Sequence, residues 1–358
     1  MVNMINNWYK RHLSNPDTVA LLAIIICSFL FIYFFSNILM PVFVAISIAF
    51  LLDWPATKLS HLGISRTASV SIVVSIFIGL SLVAILGLMP VIWQQGTNLV
   101  KEAPHMFSQA QAYLLTLPDK YPELIDAAHL EAIMAIVNEK VLEWGELVIS
   151  ASLNSISDMV ALLIYLILVP LMVFFFLKDK KLLLTSFVKL LPKERRLADQ
   201  VSDEMNQQIM NYIRGKVIEI LIVGTASTIA FVALDLRYSV LLGVLVGLSV
   251  LIPYVGATIV TFPVVLVALF QFGTSPEFGY VMLAYGIIQA LDGNLLVPLL
   301  FSEAVSLHPV FIIIAVLFFG GLWGFWGVFF AIPLASLVKA IVTAWSSVKV
   351  DETETAEA

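Results

Sequence analysis

The stretch ALLIYLILVPLMVFFFL, residues 161–177, is apolar on every face, and a soluble core cannot absorb many segments like it. Apolar runs recur near residues 18–36, 38–52 and 68–92, and 60% of all residues are hydrophobic, 12% are charged, and the mean hydropathy is +0.99. An integral membrane protein follows. Barrel strands alternate inward and outward over about ten residues, so runs without alternation require helices, which satisfy their own backbone groups in lipid. The expected fold class is all-α, a polytopic helical membrane protein with about six spanning helices. Cys27 is the single cysteine and lies in the first run, which excludes a disulfide framework and a thiol metal site.

The formal net charge is −6, but its distribution says more than its sum. Lys178, Lys180, Lys181, Lys189, Lys193, Arg195 and Arg196 stand against only Asp179 and Glu194. Between Gln94 and Ser150 the balance reverses, with Glu102, Asp119, Glu123, Asp126, Glu131, Glu139, Glu143 and Glu146 against three lysines. Basic loops stay on the cytoplasmic side. The first segment is therefore expected inside, the second outside, and Lys10 and Arg11 place the N-terminus inside. Four crossings, at the runs 18–36, 38–52, 68–92 and 151–177, agree with that parity. The expected organisation is N-terminal membrane helices (1–93), a periplasmic helical insert (94–150), a membrane helix (151–177), a cytoplasmic amphipathic segment (178–214), a transport core (215–345) and an acidic cytoplasmic tail (346–358). Residues such as Phe107, Ala110 and Leu114 recur at helical spacing in the insert.

Two later stretches, 241–270 and 311–340, each hold two apolar arms around a glycine-containing break, with a proline late in the return arm: Gly256 then Pro263, and Gly327 then Pro333. Arms of about 12 to 16 residues are at the short limit for spanning, which permits hairpins that enter and leave by one face, related by inverted topology. Full crossings remain the alternative. The first tip holds Pro253, Tyr254 and Gly256. The second holds Trp323, Phe325 and Trp326, read as a gate or an interfacial anchor.

Between the hairpins lies QALDGNLLVP, residues 289–298, which places Asp292 well inside an apolar helix. A carboxylate there is expensive unless it is paired, hydrated or protonated, so it marks a candidate site. Gln289 shares its face. On an unbroken helix Asp292 and Asn294 stand about 200° apart. Gly293 is expected to unwind the chain between them, and Pro298 removes a donor one turn later. The structural alternative is that Asp292 caps a broken helix or pairs with a cation such as Arg214. Paired broken segments point to a transporter site, formed here by Gln289, Asp292 and Asn294 with the Pro253–Gly256 tip. No GxxxxGK[ST] loop offers a nucleotide site, the five histidines are scattered, and no nucleic-acid pattern is present. No cofactor or metal is expected, and none of this points to an enzyme.

NYIRGKVIE, IPYVGATIVTFPVV, IIQALDGNLLVP and LHPVFIIIAVLFFGGLWGFWGVFFAIPLAS, preceded by FFFLKDK, resemble the autoinducer-2 exporter (AI-2E) family of bacterial permeases in order and spacing. The resemblance implies a secondary transporter of the bacterial inner membrane, assembled as a homo-oligomer, with pentamers the family expectation. It carries over roles at Gln289, Asp292, Asn294 and Pro298, and at Arg214, Gly215, Pro253, Gly256, His308, Pro309 and Pro333. The expected function is export or exchange of a small polar, autoinducer-2-like solute. The alternatives are sodium/proton antiport, with Asp292 binding the ion, and a membrane scaffold that moves nothing.

Overall fold

The computed structural model describes residues 16–115, 155–189, 196–253, 255–301 and 307–340, so Tyr254, most of the expected external insert and the acidic tail lie outside it. No strand occurs among the described residues. Six helical stretches there are long and apolar enough to cross a membrane: Ile38–His61, Arg66–Met106, Met205–Ala233, Val255–Phe272, Pro276–Phe301 and Pro309–Phe329. The polytopic helical fold is as expected.

One expectation fails at the start. Helix α1 runs unbroken from Pro16 to His61, 46 residues, which at about 1.5 Å per residue is about 69 Å. Ser36, Asn37 and Pro41 interrupt the apolar sequence without reversing a chain whose flanking residues all continue the helix. Two crossings need a reversal between them, so the crossing parity no longer agrees with the inside placement drawn from Lys10 and Arg11. Helix α2 spans Arg66–Leu115, and so includes residues 94–115 of the stretch expected as an insert.

Helices α1, α2 and α3 (Ser155–Lys178) share a core of Ala45, Ala49, Leu52, Ala56, Val70, Val74, Val169, Val173 and Leu177. Arg66 fastens their ends. Its guanidinium lies 2.9 Å from Asp53, donates to Thr57 Oγ1 at 3.0 Å, and reaches the Leu177 carbonyl at 3.0 and 3.3 Å. Lys180, opening α4 (Lys180–Val188), takes the other Asp53 oxygen at 2.9 Å.

Helix α5 (Arg196–Ala233) carries the rest. A tight corner with left-handed backbone at Asp235 (φ 51°) and Tyr238 (φ 59°) sends α6 (Ser239–Ser249) back down its side. With 11 residues, α6 covers about 16 Å and cannot cross a core of about 30 Å. The chain turns after it and returns as α7 (Val255–Phe272), whose Gln271 donates to the Asp235 carbonyl at 2.6 Å and accepts from Arg237 N at 2.6 Å. The first hairpin thus enters and leaves at one end. Helix α8 (Pro276–Leu291) continues through a π-helical turn, Asp292–Leu296, into α9 (Val297–Phe301). Helix α10 (Pro309–Phe329) is kinked at Gly324 (φ 58°, ψ −136°), and α11 (Ala331–Ala340) runs back beside it. The second hairpin therefore turns at Gly324, three residues before the glycine expected to break it.

Candidate functional site

Helix α5 organises the site by presenting Tyr212 and Lys216 one turn apart on one face. Each holds the end of one hairpin. Tyr212, 1% exposed, donates its hydroxyl to the Phe329 carbonyl at 2.9 Å. Lys216, 5% exposed, donates to the Val250 carbonyl at 2.8 Å. Val250 caps the C-terminus of α6, where carbonyls lack helical partners and the helix dipole favours a cation, so the ammonium meets a need the hairpin creates.

The same ammonium lies 2.8 Å from Glu219 Oε2 and 5.1 Å from the centre of the Phe301 ring. Glu219 is 1% exposed, so the pair is desolvated and each charge depends on the other. Phe301 reaches this position because Gly215 has no side chain: a Cβ there would stand 2.6 Å from the ring.

Below the first tip lies a cavity of about 460 Å³. Tyr212, Lys216 and Glu219 line one wall, Val250, Ile252 and Pro253 the tip, and Gln289, Asp292, Gly293 and Pro298 the facing helix. Leu307, Pro309, Ile312 and Ile332 complete it from the second hairpin. Asp292 is 9% exposed, makes no ion pair among the described residues, and leaves Oδ1 without a hydrogen-bond partner; Gln289 Nε2 is likewise unpartnered. Buried polar groups are nearly always satisfied, so a donor and an acceptor left open beside a cavity are suited to a polar occupant.

Gln289, Asp292, Gly293, Pro253, Pro298 and Pro309 are thus brought together, while Gly215 and Gly256 support them from behind. Asn294 is not brought in. The π-turn widens the helix without unwinding it, so Asn294 stays on the exposed face and its amide donates to the Ala290 carbonyl at 2.8 Å. Arg214 does not meet Asp292 either and is half-buried on α5 away from the cavity lining. His308 accepts from Val310 N at 3.3 Å and caps α10, with Pro309 in its first turn. Gly327 packs on the Phe319 carbonyl at the second reversal. Pro333 lines a separate apolar cavity of about 240 Å³ with Trp323 and Trp326. Those tryptophans lie against α1 and their own hairpin, Trp323 at 4.9 Å from Phe29 and Trp326 at 6.2 Å from Phe330.

The sequence alone does not mark Lys216 and Glu219, because they stand just past the boundary drawn at residue 214 between the amphipathic segment and the core, where charges are ordinary. The apolar stretch of α5 in fact begins at Met205, which puts both inside it. Their spacing, opposite charges three residues apart on a helix, was the available signal.

The sequence matches the AI-2E family transporter description over residues 22–347. This chain belongs to the AI-2E family. It is 51% identical over 345 residues to the protein named permease PerM in Escherichia coli (strain K12), covering 96% of this chain and 98% of that one. It is 28% identical over 325 residues to the protein named transport protein YueF in Bacillus subtilis (strain 168), covering 87% and 85%. Both names state transport and neither states a solute. The AI-2E chain described here is accordingly a multi-span membrane protein of a transporter family.

Proposed function

We propose that this protein is a secondary transporter that exports or exchanges a small polar solute of autoinducer-2-like chemistry across the bacterial inner membrane. The observation that carries this is the cavity between the two hairpin ends, with Asp292 Oδ1 and Gln289 Nε2 unpartnered at its edge. The solute has hydroxyl or amino donors for Asp292 and an acceptor for Gln289. Lys216 is committed to Glu219 and Val250, so the cavity offers no spare cation among the described residues and disfavours anionic solutes. In this reading residues 178–214 and the C-terminus face the cytoplasm, the stretch 94–150 faces the periplasm, and subunits associate as homo-oligomers, with a pentamer as the family expectation.

A second reading, sodium/proton antiport, is favoured by one feature: two carboxylates, Glu219 and Asp292, line the cavity with one ammonium, that of Lys216, an acidic excess suited to a cation. A membrane scaffold that moves nothing gains no support from an open acid in a cavity. The deciding experiment is flux into proteoliposomes, comparing a labelled neutral autoinducer-2-like polyol, its phosphorylated form, and sodium/proton exchange. Uptake of the polyol alone is expected. Sodium-driven proton movement without polyol flux moves the assignment to the antiporter, and no flux of any kind removes transport.

A further inference from the structure

We propose that Lys216 is a latch: its ammonium holds the tip of the first hairpin over the cavity and closes the cavity toward the end at which that hairpin enters. The inference rests on the transport reading and adds a positioning residue to it. The first arm of the hairpin descends α5 in steps that the contacts mark. Gly243 meets Thr228, Gly247 meets Gly224, and Val250 meets Lys216, each lower on α5 than the last. The hairpin's two ends are tied together near Asp235 and Gln271, so its tip stands between that end and the cavity.

The tether is of a kind that can let go. A buried hydroxyl bonded to one carbonyl, as in Tyr212 to Phe329, carries no charge for an occupant to act on. Lys216 differs. Its ammonium is bonded to the Val250 carbonyl and stands against Glu219 and the Phe301 ring, while a second carboxylate with an unpartnered oxygen, Asp292, lines the same cavity. An occupant that changes the demand of either carboxylate changes what the ammonium holds, and the tip is the neutral partner it can release. No other cation lines the cavity among the described residues, so the first hairpin answers to the charge in the cavity and the second does not.

The test reads access rather than flux. In a Cys27→Ser background, Gly293→Cys supplies a reporter at the cavity, where a Cβ meets nothing within 4 Å. A charged, impermeant maleimide is added to one face of oriented vesicles at a time. Lys216→Met combined with Glu219→Gln removes both charges together, and should raise labelling about tenfold from the face at which the first hairpin enters, with no change from the other. Tyr212→Phe should leave that face at the wild-type rate. Lys216→Arg, which keeps the charge and its donors, should label near the wild-type rate. An equal rise from both faces, no rise, or a rise of the same size with Tyr212→Phe overturns the latch. So does loss of fold in the double variant where Lys216→Arg folds, since a brace would then be the role. Because the labelling needs no solute, flux of the polyol in wild type without one-sided opening in the variant would remove the latch and leave the transport reading in place.

Discussion

A Cβ on Gly256 would stand 1.8 Å from the Ser249 carbonyl oxygen, so the two arms of the first hairpin touch backbone to backbone where the chain turns. The second hairpin repeats this contact with Gly327 and the Phe319 carbonyl, again at 1.8 Å. The weak sequence repeat therefore has a physical basis. Each reversal needs a residue without a side chain seven or eight positions after the carbonyl it covers.

Gly256→Ala and Gly327→Ala should each destabilise the protein by about 3 kcal/mol or more, because backbone rather than a movable side chain blocks the methyl group. Gly293→Ala, with open space around it, should change stability by less than about 0.5 kcal/mol. Thermal unfolding in detergent compares the three. Equal melting temperatures for Gly256→Ala and Gly293→Ala would contradict the contact.

Asp292→Asn should lower flux at least tenfold while leaving the melting temperature near wild type, since Asp292 has no ion pair to be broken among the described residues and the amide keeps the shape. Asn294→Ala should leave flux within about twofold, because its amide serves its own helix outside the cavity. Measuring flux beside stability separates a site residue from a folding one. Normal transport by Asp292→Asn would remove it from the site.

Lys216→Met alone strands a carboxylate at Glu219 and should cost about 3 to 5 kcal/mol, most of it recovered when Glu219→Gln is added. The double-mutant cycle, read by thermal unfolding, should show strong coupling. Additive effects would mean that the 2.8 Å contact contributes little.

Arg66→Lys should lower stability by about 1 to 3 kcal/mol, because an ammonium cannot serve Asp53, Thr57 and the Leu177 carbonyl from one rigid fork. Flux per folded molecule should stay near wild type, as Arg66 lies outside the cavity lining. A stable but inactive Arg66→Lys would assign it a working role instead.

Orientation is tested by impermeant labelling of intact cells carrying Lys189→Cys or Asp126→Cys in the Cys27→Ser background. Labelling is expected at 126 only. The reverse result would invert the proposed topology.

Much of the fold was legible because hydropathy and length decide whether a segment can cross lipid, and because glycine and proline mark where it breaks. Asp292 stood out since an acid in lipid has a cost that chance does not explain. The misses have equally physical causes. Two polar residues and Pro41 looked like a turn between crossings, yet a helix carries them when both flanks favour it. Asn294 was placed beside Asp292 on the assumption that Gly293 unwinds the chain, whereas the π-turn spreads the extra residue around a helix that stays closed. Lys216 and Glu219 were hidden by their place just past the boundary drawn at residue 214 between the amphipathic segment and the core, where charged residues are ordinary.

The π-turn makes the helix respond to a change of length differently there than elsewhere. It holds one residue more than an α-helical turn would, with Val297 N bonding back to the Asp292 carbonyl five positions before it. Removing Leu295 would close the turn into an ordinary α-helix, and because the bulge is one residue added to a continuous helix, the segments on its two sides would keep nearly the same facing. Phe301 would then stay in the space Gly215 leaves for it, beside the ammonium of Lys216. The same single-codon deletion within α8 would turn every later residue by about 100° and carry Phe301 out of that space.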